Sequence, residues 1–235
     1  MLIPPFLLRG DDVIIRQEAE EYVSGLLEFA LAHGREPGTW YKFHNHIYGV
    51  AAVAEKIAAK LGNLDPERAW ALGLLHDAGK MQEPFVQRFH GIVGYEMLKE
   101  RDELAARISL SHTFHFNILP PYQAAEKMFF SKKEDYDFIR EFFAGHKVCE
   151  YDKLIQLCDG LANCNGLVTM EQRAEEFAIR YGMPLPAYVI SGARKLKLYF
   201  DEMLGFDLYR LFDEISGDFM LQPGVDCKLA EDAER

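Results

Sequence analysis

Apolar residues along this chain recur mostly at three- and four-residue intervals, and the alternating pattern of strands is sparse. A chain with that period buries one stripe of each helix and stacks helix on helix, so the expected fold class is all-α. The clearest start signal lies in LGNLDPER, where Asp65 reads as an N-cap and Pro66 as the first helical residue. That helix carries Ala69, Leu72 and Leu75 and ends around His76-Asp77-Ala78-Gly79, with Gly79 as its stop.

Similar punctuation divides the rest. Asp11 or Asp12 caps a first helix that runs to about His33 and is broken by Gly34, Pro37 and Gly38. A second starts near His44 and turns Val50, Val53, Ala54, Ile57 and Leu61 to one face. Pro84 opens a loop or turn, and residues 113–121 form another loop. Helices are expected over His90 to about Lys99, Arg101 to His112, an aromatic-rich Gln123 to Phe143 ended by Gly145, and Tyr151 to Cys164. Two or three more fill 170–216 between Gly182, Pro184 and Pro186, and the charged tail from Gln222 frays.

The 235 residues suit a single domain over 1–235, large enough to bury a core without disulfides. A formal net charge of -11 supplies no basic face, which argues against nucleic acid as the main partner. A small anionic substrate stays compatible, because a bound metal adds local positive charge. Cys149, Cys158, Cys164 and Cys227 show no CxxC spacing and read as reduced thiols of a cytoplasmic protein. No segment reads as membrane-spanning, and MLIPPFLLRG reads as an N-terminal arm rather than a signal peptide.

The chemistry concentrates in the histidines: His33, His44, His46, His76, His90, His112, His115 and His146. A lone helical histidine is usually packed or solvated, since ligation needs several partners converging. His76-Asp77 ends an apolar helix in LLHDAGK. Helix neighbours point about 100° apart, so both side chains reach one ion only where the helix end overlooks a cavity. An imidazole beside a carboxylate suits iron, zinc, manganese or nickel. Gly79 permits close approach of another segment or a ligand, and Lys80 is placed to pair with a phosphate.

The ordered series HNHIYGVAAVA, LLHDAGK, FHGIVGYEML, ISLSHTFHF and YDKLIQLCDGLA resembles the HD-domain metal-dependent phosphohydrolase superfamily over roughly residues 44–165. The resemblance implies a helical bundle with its core at about 40–165 and an additional N-terminal helix, with C-terminal helices over about 168–216 packed on it or forming one wall of its site. It implies that His46, His76, Asp77 and Asp159 ligate a first divalent transition metal. His90 and His112 would ligate a second, with Asp77 bridging. His44 competes with His46, which is preferred because apolar helix positions begin four residues later, at Val50. His115 competes with His112, or faces substrate. His33 and His146 match nothing in the family pattern. The Gly-Tyr-Pro signature of the diguanylate-specific branch is absent from the chain. The small stand-alone HD proteins, dinucleoside polyphosphate hydrolases among them, are the nearest in kind.

The implied activity is hydrolysis of a phosphoester of a nucleotide or other small phosphorylated molecule by metal-activated water. Asp77 and Lys80 would be catalytic, Lys80 stabilising a non-bridging oxygen as a point charge. Lys80, His115, Arg88 and Lys42 are the expected substrate contacts, with Lys132 and Lys133 as further cations. Trp40, Tyr41, Phe43, Phe114, Phe116 and Tyr122 flank the series; most are expected to pack, though an aromatic face also suits a nucleobase. A homodimer is compatible with this class. Two alternatives stand beside the hydrolase: a di-iron oxygenase using the same ligand set, and a non-catalytic nucleotide-sensing module.

Overall fold

A computed structural model describes residues 13–34, 40–82, 88–126, 129–130 and 132–221. Its elements run α1 (Arg16–Ala32), α2 (Trp40–Leu61), α3 (Pro66–Leu75), a 3-10 turn (Ala78–Met81), α4 (His90–Leu98) and α5 (Glu103–Ser111). A second 3-10 turn (His115–Asn117), α6 (Tyr122–Ala125), α7 (Lys133–Gly145) and α8 (Glu150–Asp159) follow. Next come a hairpin of β1 (Ala162–Asn163) and β2 (Gly166–Leu167), then α9 (Met170–Tyr181), α10 (Ala187–Leu204) and a 3-10 turn (Leu208–Glu214). The structure is mostly helical, as the periodicity requires.

Local signals account for most boundaries. Asp65 accepts the Glu67 amide at 3.0 Å, with Pro66 opening α3 as read from sequence. Helix α1 starts at Arg16, where Glu18 reaches back to accept the Ile15 amide at 3.1 Å. Asp11 and Asp12, the expected caps, lie outside the described residues, as do Pro37, Gly38, Pro84, Cys227, the arm over 1–12 and the tail from Gln222. Helix α2 begins four residues before His44, because Trp40 and Phe43 are buried and extend its apolar stripe.

Two expectations are corrected. The stretch Gln123–Phe143 is not one helix but α6 and α7. Phe129 and Phe130 turn in against Phe114, at ring separations of 5.4 and 6.0 Å, so a tertiary aromatic cluster overrides local helix propensity. Helix α8 stops at Asp159 rather than running to Cys164. The chain turns there into the antiparallel hairpin, pairing Ala162 with Leu167 and Asn163 with Gly166.

Helices α1, α2, α3 and α8 surround the main core, to which α10 adds Leu196 and Phe200. Where α3 crosses α2, Gly73 lies against Ala51: a Cβ there would sit 2.5 Å from the Ala51 Cα. Only a hydrogen at that position lets the two backbones meet. A buried Arg68 guanidinium grips Asp102 at 2.5 and 2.6 Å, and Asp102 also accepts the amides of Ile14 (3.0 Å) and Ala105 (2.9 Å). That knot ties α3 to the start of α5. No helix among the described residues is long and apolar enough to cross a membrane.

Candidate metal centre

The site is built at the close of α3. His76 still has helical backbone angles, but the chain then tightens into the 3-10 turn, and His76 and Asp77 both face one fully buried point. Gly79 permits this. A Cβ on it would lie 2.0 Å from the His90 carbonyl oxygen and 2.5 Å from the Gly94 nitrogen. The start of α4 is thereby pressed onto the turn, bringing His90 beside Asp77. Gly94 likewise leaves room for Ser109, whose hydroxyl donates to the His76 carbonyl at 2.9 Å. The expectation that Gly79 allows close approach of another segment holds; the helix itself ends at Leu75, and Gly79 lies inside the 3-10 turn that follows rather than at the stop.

Three imidazoles are oriented the same way. His76 and His112 each follow the last residue of a helix, and each places Nδ1 on the carbonyl three residues earlier: Gly73 at 2.6 Å and Ser109 at 2.9 Å. His46 on α2 places Nδ1 on the Ala162 carbonyl of β1 at 3.1 Å. A carbonyl only accepts, so this hydrogen-bond network assigns the proton to Nδ1 and leaves Nε2 for a metal or a second proton.

The Nε2 atoms converge in two pairs around one carboxylate. His46 and His76 meet at 3.3 Å, and His90 and His112 also at 3.3 Å. Asp77 Oδ2 faces the first pair at 3.4 and 3.6 Å, while Oδ1 faces the second at 3.4 and 3.3 Å. Asp159, the last residue of α8, adds Oδ1 at 3.2 Å from His46 and 3.8 Å from His76. Asp77 Oδ1 is buried and has no hydrogen-bond partner among the described residues. An orphaned carboxylate oxygen between two imidazole nitrogens fits a cation. The buried groups His46–His76–Asp77 and Asp77–His90–His112 can therefore hold metal ions.

The charges agree with that fit. Burial alone would raise the Asp77 carboxyl, but Lys80 and the surrounding imidazoles hold it well below the usual carboxylate range. Asp159 is held low in the same way, against its burial, mainly by His46 and His76. Burial opposes a charge on His46, yet Asp159 and Asp77 outweigh it and raise its pKa. His90 goes the other way, pushed well below its ordinary value by burial.

Lys80 lines the cleft above the centre, 41% of its side chain exposed, and Nζ sits 2.6 Å from Asp77 Oδ2. His115 lines the same cleft, and burial lowers its pKa. Its segment is unusual: Phe116 and Asn117 both have φ of 56°. Gln156 braces it, accepting the Phe116 amide at 2.8 Å and donating to Asn117 at 2.9 Å.

Other expected contacts are not brought to the cleft. Arg88 is held by Asp135 at 3.1 Å, which also accepts the Phe89 amide. Lys42 is exposed, 5.9 Å from the Tyr41 ring. Lys132 is exposed and Lys133 pairs with Asp137. His44 stacks on Tyr48 at 4.1 Å, with its pKa lowered by burial to about 4, and belongs to neither His–Asp group. His33 and His146 stack on Phe29 and Phe142. Trp40, Phe43 and Phe114 pack in the cores, and Tyr41, Phe116 and Tyr122 are not part of the cleft lining.

The C-terminal helices form one wall of the site, one of the two placements expected for them, though none of their residues was singled out from sequence. The cleft encloses about 700 Å³, and α9 and α10 supply Arg173, Phe177, Ile190 and Arg194 to it. Met170, Ala174, Phe177 and Tyr181 were a readable signal, since that spacing puts an apolar stripe on α9. Ser109 and Gln156 carried no such signal.

A protein-family model described as HD domain matches residues 43–164, just over half of the chain. That stretch runs from the residues before His46 to the hairpin after Asp159, and so contains every His and Asp of the two groups. No match is found among the curated proteins or the solved structures.

Proposed function

The chain belongs to the HD-domain family, typically metal-dependent phosphohydrolases, and we propose that it hydrolyses a phosphoester of a nucleotide or other small phosphorylated molecule. The observation that carries this reading is Asp77, whose two oxygens face two separate imidazole pairs. His46, His76, Asp77 and Asp159 would hold one divalent ion of iron, zinc, manganese or nickel, and Asp77, His90 and His112 a second. When bound, such ions make water a nucleophile near neutral pH and neutralise charge on the phosphoryl oxygens.

The chain's own residues supply the rest. Asp77 holds the two halves of the site in register. Lys80, reaching into the cleft from the residue pair's own turn, offers a point charge to a non-bridging phosphoryl oxygen. His115 faces the same space and is kept neutral by its burial, so it serves as a hydrogen-bonding group rather than a cation. In the overall step a water oxygen bonds to phosphorus, the ester P–O bond breaks, and the proton leaves with the alcohol.

The test is phosphate release from a panel of nucleotides, sugar phosphates and aryl phosphates, run anaerobically across the four metals. Metal-dependent release that vanishes in Asp77→Ala, with the helical circular dichroism kept, is the expected result. No anaerobic phosphate release together with oxygen consumption in a parallel aerobic assay, or activity that survives Asp77→Ala, overturns the reading.

A further inference from the structure

Helix α9 is amphipathic, yet none of its residues is fully buried. Its apolar stripe of Met170, Ala174 and Phe177 looks across the cleft at Val189, Ile190 and Ala193 of α10. An apolar helix face ordinarily packs on a core. Here the same cavity is also lined by His90, His112 and Asp159 of the centre and by Lys80.

The polar groups on this wall are largely committed to one another. Glu176 binds Arg173 at 3.1 Å and Arg180, and accepts from the Asn163 side-chain Nδ2 of β1 at 2.9 Å. That latch ties α9 to the hairpin that follows Asp159, holding the apolar stripe over the metal centre. Gly192 does the same for α10: a Cβ there would lie 2.6 Å from His115 Nδ1, so the helix rests directly on His115. The cleft, at about 700 Å³, lies within the roughly 300–1,000 Å³ range of sites that enclose a drug-sized molecule. A phosphoryl group alone fills a small part of it.

Resting on the hydrolase reading above, we propose that the substrate is a phosphate monoester of an apolar alcohol, its phosphoryl group at the His–Asp centre and Lys80, its leaving group between α9 and α10. The apolar walls desolvate an alkyl or aryl group. With Arg173 and Arg180 tied to Glu176, the charged groups these helices add to the lining are Glu171 and Arg194, too few to replace the water that a sugar or other polyol would give up, so such leaving groups bind less well.

The experiment uses phosphonates, whose C–P bond is not hydrolysed, titrated calorimetrically into the full-length protein supplemented with manganese or zinc. Affinity is expected to rise about three- to fourfold per methylene from methyl- through hexylphosphonate, the gain that follows from burying each CH₂. Phenylphosphonate, the aryl arm, should bind more tightly than a glycerol-like phosphonate of similar size. Phe177→Ala and Ile190→Ala, each checked for native circular dichroism, should flatten the chain-length dependence. Affinity that is flat with chain length, or no binding at all, overturns the proposal. Phosphate release from the matching esters is measured in parallel: turnover with flat affinity removes this proposal alone, and steep affinity without turnover of any ester overturns the hydrolase reading and with it the claim that the bound ester is a substrate.

Discussion

Gly79→Ala tests how the centre is assembled. The added methyl carbon would lie 2.0 Å from the His90 carbonyl oxygen. Ordinary carbon–oxygen contacts are about 3.3 Å, so the turn and the start of α4 must separate by about 1.3 Å. Both struck atoms belong to backbone, so no side-chain rotation relieves the contact. Overpacking of this kind costs about 1–3 kcal/mol, which for a chain of this size lowers Tm by roughly 2–4 °C per kcal/mol. The functional cost is larger. His90 opens α4, and metal–ligand distances tolerate only about 0.2 Å, so a shift of that size takes His90 out of reach of an ion shared with Asp77. His46, His76 and Asp159 are positioned by the Ala162 carbonyl, the Gly73 carbonyl and α8 instead and stay in place. The variant should therefore keep one tightly held metal and lose the second, by elemental analysis after dialysis against graded chelator, with a lower Tm in chelator. A Gly79→Ala protein with unchanged Tm and full metal content would refute the close approach on which the site's construction rests.

Three further outcomes follow from the same geometry. His112→Ala should release the metal on the Asp77 Oδ1 side at a lower chelator concentration than the one at His46 and His76; loss of both together would mean the two groups are not separable. Asp102→Ala strips Arg68 of its buried partner and should cost about 3–5 kcal/mol in denaturant unfolding. Burial opposes the Asp102 charge, but Arg68 and two backbone amides lower its pKa below 3.8. Its contribution is thus present above about pH 4 and lost as pH falls through the lowered folded value, so wild-type and Asp102→Asn melting curves should converge below pH 3.8. Gln156→Leu leaves the Phe116 amide without its acceptor and should cost about 1–3 kcal/mol, with amide exchange rising specifically over residues 115–117.

What was legible in the sequence was whatever depends on neighbours along the chain. The Asp65-Pro66 start, the α2 stripe and the helix bearing Asp159 are local patterns, and each appears in the structure. The order of His46, His76-Asp77, His90, His112 and Asp159 was readable too, because each stands in a distinctive local context. Tertiary contacts decided the rest. His46, preferred over His44 from its place before the apolar stripe, is oriented by the Ala162 carbonyl of a hairpin more than a hundred residues later, a partner that no local pattern names. Arg88 and Lys133 are drawn off by Asp135 and Asp137, pairings that a count of basic residues does not reveal. The aromatic stretch after Gln123 breaks because rings from several elements pack together, which outweighs helix propensity. The wall made by α9 and α10 arises only when the apolar stripes of these two successive helices are folded back onto the His–Asp centre. Periodicity along a chain states which face of a helix is apolar; only the folded structure states what that face meets.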